Sequence, residues 1–388
     1  MRILHTSDWH IGKRLERHDR MDEHRAAIDE VVSVADGESV DIVVHSGDLF
    51  DRPTPSPEVL KVALEGLVGL AAGGERPVVV VAGNHDSPEL FETLAPYLGP
   101  FGVHLVGRIK APEEGGVLSL PVGEARALIA CFPFLRAAQT VDFMERADAW
   151  YGLYADRVRR LTERYSEALA AAAGPADISV LVAHFMVGGV KVRTGVPRGE
   201  RDLHIGEAYA ATSQAVPTSV DYVAMGHIHA PQPVPGAPVP AQYAGSLLQL
   251  DFGEAGEEKR VIIVEAEPGV PAEVRSVPLA AGRRLVRVAG VWDEIAARDD
   301  LDDAFLDLTV QTEGPEPGLV DIARERFPHV VKVRAEYERI ELEQRGGEGR
   351  PLDELYGLYH EEAHASDATE GLLALFREIS EEAGPATS

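Results

Sequence analysis

The chain has 388 residues, 45% of them hydrophobic, and 37 Lys and Arg stand against 64 Asp and Glu for a formal net charge of −27. That length and apolar fraction support two or more packed domains and exclude a disordered chain. The charge excludes a protein that holds nucleic acid mainly by a basic surface, and a lone cysteine, Cys131, excludes an internal disulfide scaffold and points to a reducing, cytoplasmic setting.

Short β-branched runs predict strands at residues 2–6, 41–45, 77–82, 126–131, 178–183, 222–225, 241–245 and 261–265. Apolar residues at helical spacing predict helices around 23–34, 58–71 and 144–173. Such alternation is the mark of an α/β layer architecture, in which ligands collect where loops leave the carboxyl ends of the strands. Prolines 231, 233, 235, 238 and 240 predict an extended surface connector. Beyond about Val277 the pattern changes, with strands predicted at 285–288, 305–309 and 330–333 around a helix at 319–327. The expected division is therefore 1–276, a small α+β domain at 277–343, and 344–388.

The last segment opens on the Gly-rich stretch 344–349 and continues as an acidic helical pattern over 352–383, with a net charge of −7 over 345–388. Its apolar spacing, Leu352, Leu355, Tyr356, Tyr359, then Leu372, Leu373, Leu375, Phe376 and Ile379, reads either as plain core or as a helix pair that docks on another protein.

Five segments place ligand-type side chains just after predicted strands: Asp8-Trp9-His10, Gly47-Asp48-Leu49-Phe50-Asp51, Gly83-Asn84-His85-Asp86, Ala183-His184-Phe185 and Gly226-His227-Ile228-His229. Carboxylate and amide oxygens mixed with imidazoles, without thiolates, suit two borderline or hard divalent ions such as manganese and argue against a structural zinc site. In an extended backbone Asp8 and His10, like His227 and His229, would point the same way; a turn at Gly226 would instead divide the second pair between two ions. A pair of ions about 3.5–4 Å apart needs a bridging carboxylate, and Asp48 is the choice for that role.

These motifs in this order resemble the calcineurin-like metallophosphoesterases, and the blocks around Trp9 and Asp48 are similar to the nuclease subunits of SbcCD-type complexes. The resemblance implies a four-layer α/β/β/α sandwich followed by a small α+β cap that faces DNA and a C-terminal helical arm. It implies that Asp8, His10, Asp48 and His229 hold one ion, and that Asp48, Asn84, His184 and His227 hold the other. His85 would be no ligand but would help stabilise or protonate the leaving oxygen. Motif four has Ala183 where many relatives carry glycine, and Asp51 stands where some archaeal relatives carry histidine, so Asp51 is given no catalytic role.

The implied activity is exonuclease and endonuclease hydrolysis of DNA phosphodiesters with two divalent ions, manganese being the expected metal, in end and hairpin processing, repair and recombination. The implied partners are DNA and an SbcC-type ATPase subunit, since the chain has no G-x-x-x-x-G-K-[ST] loop of its own; a homodimer is also admitted. The alternative keeps the chemistry but takes a small molecule or phosphoprotein as substrate. No run approaches the ~20 apolar residues of a membrane span, and Met1 to Asp8 lacks the apolar stretch of a signal peptide, so no membrane role is expected. His5, His18, His24, His45 and His104 read as structural, and Trp9 as packing behind the site. Lys13, Arg14 and Arg17, and Lys191, Arg193 and Arg198, read as candidates for phosphate contact.

Overall fold

A computed structural model describes residues 1–136, 154–190, 210–337, 351–364 and 366–383. The strands are β1 (Arg2–Thr6), β2 (Ile42–His45), β3 (Val78–Val81), β4 (Val103–Val106), β5 (Val117–Val122), β6 (Ala125–Phe132), β7 (Ile178–His184), β8 (Met186–Val187), β9 (Ala210–Ala211), β10 (Tyr222–Gly226), β11 (Gln232–Pro233), β12 (Ala241–Tyr243), β13 (Arg260–Glu265), β14 (Glu273–Pro278), β15 (Leu285–Val291), β16 (Phe305–Gln311) and β17 (Val330–Glu336). The helices are α1 (Met21–Gly37), α2 (Pro57–Leu70), α3 (Pro88–Leu98), α4 (Tyr154–Ala172), α5 (Trp292–Ala296), α6 (Leu319–Arg326), α7 (Leu352–His364) and α8 (Glu370–Ala383).

Two six-stranded sheets form the centre, in the orders β14-β13-β1-β2-β3-β4 and β11-β12-β10-β7-β6-β5. Strand β3 shows why a sandwich results. Its four consecutive valines are all buried, as a parallel strand covered on both faces requires. One face looks between the sheets, where Ile3, Ile42, Val44, Val79 and Val81 share a core with Ile129, Cys131, Val180 and Val182. The other looks outward, where Val78 and Val80 pack with Ile28 and Val31 of α1 and Leu67 and Leu70 of α2. On the far side Val158, Leu161, Tyr165 and Leu169 of α4 cover Leu128, Ala130 and Leu181. These are the four layers expected, and truncating a leucine within them costs about 2–5 kcal/mol. Cys131 lies in the inter-sheet core, where burial pushes its thiol up to about 12 and leaves it inert.

Several elements were not read from the sequence. Helix α3 carries Pro96 in its interior and only two buried apolar residues, Phe91 and Leu98, so its period is faint. It begins with the same Ser-Pro device as α2: Ser87 and Ser56 accept the N–H groups of Leu90 and Val59, with proline at the first helical turn. Strands β4, β5 and β14 also went unread, and β14 keeps the chain in the first sheet through Pro278. The proline-rich stretch is partly ordered as an edge, since β11 pairs with β12. Of the helix expected at 144–173, residues 144–153 lie outside the described residues, as do the Gly-rich stretch 344–349 and Lys191, Arg193 and Arg198.

The chain divides into two compact units, one of 1–311 with 316–335 and one of 312–315 with 336–388. In the first, β15, β16 and β17 form a three-stranded sheet with α5 and α6, around Leu306, Leu308, Leu319, Ala323 and Phe327. This small layer joins the sandwich through Leu285 and Phe305, which pack with Leu15 and Phe252. Arg20 and Arg283 lie over the Phe305 ring, and the Leu285 N–H donates to Gln249 Oε1 at 2.6 Å. In the second unit α7 and α8 meet through Tyr356 and Phe376, stacked 4.2 Å apart, and through Arg377 and Asp353 at 2.6 Å. Leu352, Tyr359, Leu375 and Ile379 remain exposed.

Candidate metal centre

Loops from the central strands of both sheets converge. Asp8 and His10 follow β1, Asp48 follows β2, Asn84 follows β3, His184 ends β7 and His227 follows β10. The turns are tight: φ is 49° at Asp8, 44° at His10, 54° at Asp48 and 95° at His227. Left-handed backbone at a residue other than glycine costs on the order of 1–3 kcal/mol and is held only where surrounding bonds over-determine it. Here the Asp8 and His10 N–H groups donate to the carbonyls of Gly47 and Asp48, and the His227 N–H donates to the Asp8 carboxylate at 3.1 Å. The extended reading of Asp8-x-His10 is thereby corrected. Two glycines are obligatory for proximity: a Cβ on Gly47, whose φ is 103°, would lie 2.2 Å from His184 Nδ1, and one on Gly83 would lie 2.1 Å from Asp48 Oδ1.

The side chains form two sets that meet at Asp48. In the first, His10 Nε2 lies 3.1 Å from His229 Nε2, and donor atoms of Asp8, His10 and His229 all fall within 4.8 Å of one another. In the second, Asn84 Oδ1 is 3.0 Å from His184 Nε2 and 2.9 Å from His227 Nδ1. Asp48 Oδ2 is 3.5 Å from His10 Nε2 and 3.4 Å from His184 Nε2, so one oxygen reaches both sets. His227 and His229 accordingly part, one to each set, as a turn at Gly226 allows. The Asp8 carboxylate falls within reach of both sets, because Asp8, Asp48 and His184 also cluster within 4.8 Å.

The donors suit cations. Asp8, His10, Asp48 and His184 are almost wholly buried, and His10 Nδ1 has no hydrogen-bond partner among the described residues. Burial holds His10 well below the usual imidazole range, and burial with the neighbouring His184 lowers His227 to about 3, so both rings are neutral. His184 behaves otherwise: burial opposes its charge, but the Asp48 carboxylate outweighs burial and raises it to about 9. The same pairing, against burial, keeps Asp48 well below the usual carboxylate range. Seven oxygen and imidazole donors without a thiolate, His184 among them once it sheds its proton, fit two borderline or hard divalent ions.

His85 stands beside the sets without joining them. Its ring meets that of His10 edge-on at 4.8 Å, its Nδ1 donates to the Asp51 carbonyl at 2.9 Å, and its N–H donates to Asp48 Oδ1 at 2.8 Å. Donor atoms of His10, Asp51 and His85 also lie within 4.8 Å, so Asp51 is closer to the site than its sequence role suggested. Trp9 is fully buried with its N–H on Thr6, a packing residue as expected. His5 bonds Tyr222 and Ser46, and His45 receives the Gly47 N–H, which fits their structural reading.

Three contributors escaped sequence reading. Asp86 accepts the N–H groups of Gly83, Leu49 and Phe50 and so ties the second loop to the third; burial and the Asp48 charge push it up to about 6. Glu254 accepts from His229 Nδ1 at 3.0 Å. The three-stranded sheet supplies Arg287, Asp307, Lys332 and Arg334 to the lining of a cleft of about 840 Å³ that His10, Asp48, His85, His227 and His229 line as well. Lys13, Arg14 and Arg52 line it as well, whereas Arg17 does not. Asp86 alone had a signal, as the acid ending Gly83-Asn84-His85-Asp86.

Residues 1–231 match the family described as calcineurin-like phosphoesterase. SbcD, the nuclease component of the SbcCD complex, from Bacillus subtilis is 31% identical, over 98% of this chain and 97% of its own length. The protein of the same name from Rhodobacter capsulatus is 28% identical over 84% and 85%, and that of Escherichia coli K12 28% over 77% and 73%. Among solved structures, a dimetal phosphatase from Danio rerio aligns at 12% identity with a TM-score of 0.42, over 71% of this chain and 98% of its own. The chain belongs to the calcineurin-like phosphoesterases, and within them to the SbcD nuclease family.

Proposed function

We propose that this protein is a two-metal DNA nuclease, with manganese as its ion and with residues 277–343 as the cap that faces the substrate. The carrying observation is Asp48 Oδ2, within 3.5 Å of a histidine of each set at the floor of a basic-walled cleft. Asp8, His10, Asp48 and His229 would hold one ion, and Asp48, Asn84, His184 and His227 the other. Bound there, the ions supply charge neutralisation and Lewis-acid activation at the phosphate.

The chain's own residues do the rest. His85 is oriented through Nδ1 by the Asp51 carbonyl, which leaves Nε2 to carry a proton to the departing sugar oxygen. Arg287 and Arg334 flank Asp307, at 3.6 and 2.8 Å, Lys332 pairs with Glu16 at 3.0 Å and Lys13 with Asp51 at 3.1 Å, a track of cations whose carboxylate partners a phosphate backbone would displace. A polyanion suits that track better than a small phosphomonoester does. The exposed apolar side chains of α7 and α8 support a reading of residues 344–388 as the segment that docks on an ATPase subunit of the SbcC type. No helix of the described residues is long and apolar enough to cross a membrane.

Turnover of linear duplex DNA against a chromogenic phosphodiester, each with manganese, tests the reading. Preference for DNA supports it, and hydrolysis of the small ester alone overturns it.

A further inference from the structure

We infer that Glu254 is a positioning residue for His229 and that Lys259 locks it in place; this rests on the reading of His229 as an ion ligand. A carboxylate only accepts, so the 3.0 Å contact of Glu254 Oε1 with His229 Nδ1 puts the proton on Nδ1 and leaves Nε2 with its lone pair facing His10 Nε2. A ligating histidine needs this tautomer and orientation.

Nothing in the grip is left loose. The other oxygen of Glu254 receives the Leu250 N–H at 2.9 Å, Ser246 Oγ at 3.4 Å and the Lys259 ammonium at 2.7 Å. Lys259 also donates to the His229 carbonyl at 3.2 Å and pairs with Glu257 at 3.0 Å. The histidine is thus held by its ring through the carboxylate and by its backbone through the ammonium. Glu254 and Lys259 are each only 5% exposed. A buried ion pair is poor glue, because desolvation offsets most of its attraction and an apolar pair would serve stability as well. Fixing one ring is what an apolar pair could not do.

Among the described residues, no hydrogen bond joins the second set to this network: His184 and His227 are oriented by Ser46 and Asn84 instead. The consequence is one-sided. Loss of Glu254 should weaken one ion and spare the other.

The test uses the full chain, metal-free, with 15N-labelled histidine for NMR, followed by calorimetric titration with manganese. Wild type should show His229 protonated at Nδ1. Glu254→Ala should move His229 toward the Nε2–H form and weaken one of the two binding events about 10- to 100-fold, with the other unchanged. Glu254→Gln, whose amide oxygen can still accept, should recover part of both effects. An Nε2–H tautomer in wild type would overturn the proposal, as would a folded alanine variant whose two binding events are both unchanged or equally weakened. If the alanine variant does not fold, the wild-type tautomer and the glutamine variant decide. Wild type that binds no ion while keeping the Nδ1–H tautomer would refute the ligand reading and leave the Glu254 contact standing.

Discussion

His10 and His229 turn Nε2 toward Nε2, 3.1 Å apart, across the two sheets of the sandwich. One of these rings is buried and the other half-buried at the cleft, and two imidazole nitrogens this close are well satisfied by sharing either a proton or a cation. With Asp8 in the same cluster, the cation is the better solution. Manganese should therefore raise the melting temperature of chelator-treated protein, with a stabilisation of about 2.7 kcal/mol at a concentration 100-fold above Kd. His229→Ala should lose most of that shift; a melting temperature indifferent to manganese in wild type would refute the centre.

His85 predicts a different phenotype, because it faces the cleft without belonging to either set. His85→Asn should keep manganese stoichiometry and DNA affinity while slowing single-turnover cleavage by roughly 10²- to 10⁴-fold. Calorimetry alongside rapid-quench kinetics separates the two roles, since a loss of bound metal would make His85 a ligand.

The pairing of His184 with Asp48 sets the pH dependence. His184 is raised to about 9 in the metal-free fold against an ordinary value of 6.5, so its stabilising charge is fully present below pH 6.5 and lost as pH rises through about 9. Metal-free protein should melt at progressively lower temperature across that window. Ion binding at pH 7.5 must expel the same proton, and calorimetry in buffers of different ionisation enthalpy should find about one proton released per protein. Zero release would mean that His184 stays protonated and is no ligand.

Much of this site was legible because the sequence writes it as short motifs beside strands, and because Asp, Asn and His in that order have few other reasons to recur. The backbone was less legible. Nothing in Asp8-Trp9-His10 announces two left-handed residues; the strain is sustained by bonds to the carbonyls of Gly47 and Asp48, in the next motif of the chain. Glu254 is silent for the same reason, since its partners His229 and Ser246 reach it through the fold and an isolated Glu in an acidic chain carries no signal. Helix α3 was hidden by Pro96, and β14 by its mostly exposed residues, none of them buried, at a sheet edge. The strands β15, β16 and β17 could be read from their apolar runs, but the arginines on them could be placed in the cleft only once Phe305 and Leu285 fixed their sheet to the sandwich.

That placement gives a prediction about substrate binding. Arg334→Ala removes one cation from the cleft wall and leaves Asp307 with Arg287 alone, at 3.6 Å. Duplex affinity should fall uniformly across sequences, and the slope of log K against log salt should shrink by about one. Fluorescence anisotropy at several salt concentrations measures both, and an unchanged slope would remove Arg334 from the phosphate track.

Asp48→Ala bears most directly on the central claim, that two ions share one carboxylate at the floor of a DNA-cleaving site. End-labelled linear duplex is incubated with wild type and variant, each stripped by chelator and reloaded with manganese, and bound metal is counted by mass spectrometry on the same samples. Wild type should cleave with about two ions bound, and the variant should not cleave, with occupancy reduced at both positions. A folded variant that still cuts DNA at the wild-type rate, or that keeps both ions, would contradict the shared carboxylate.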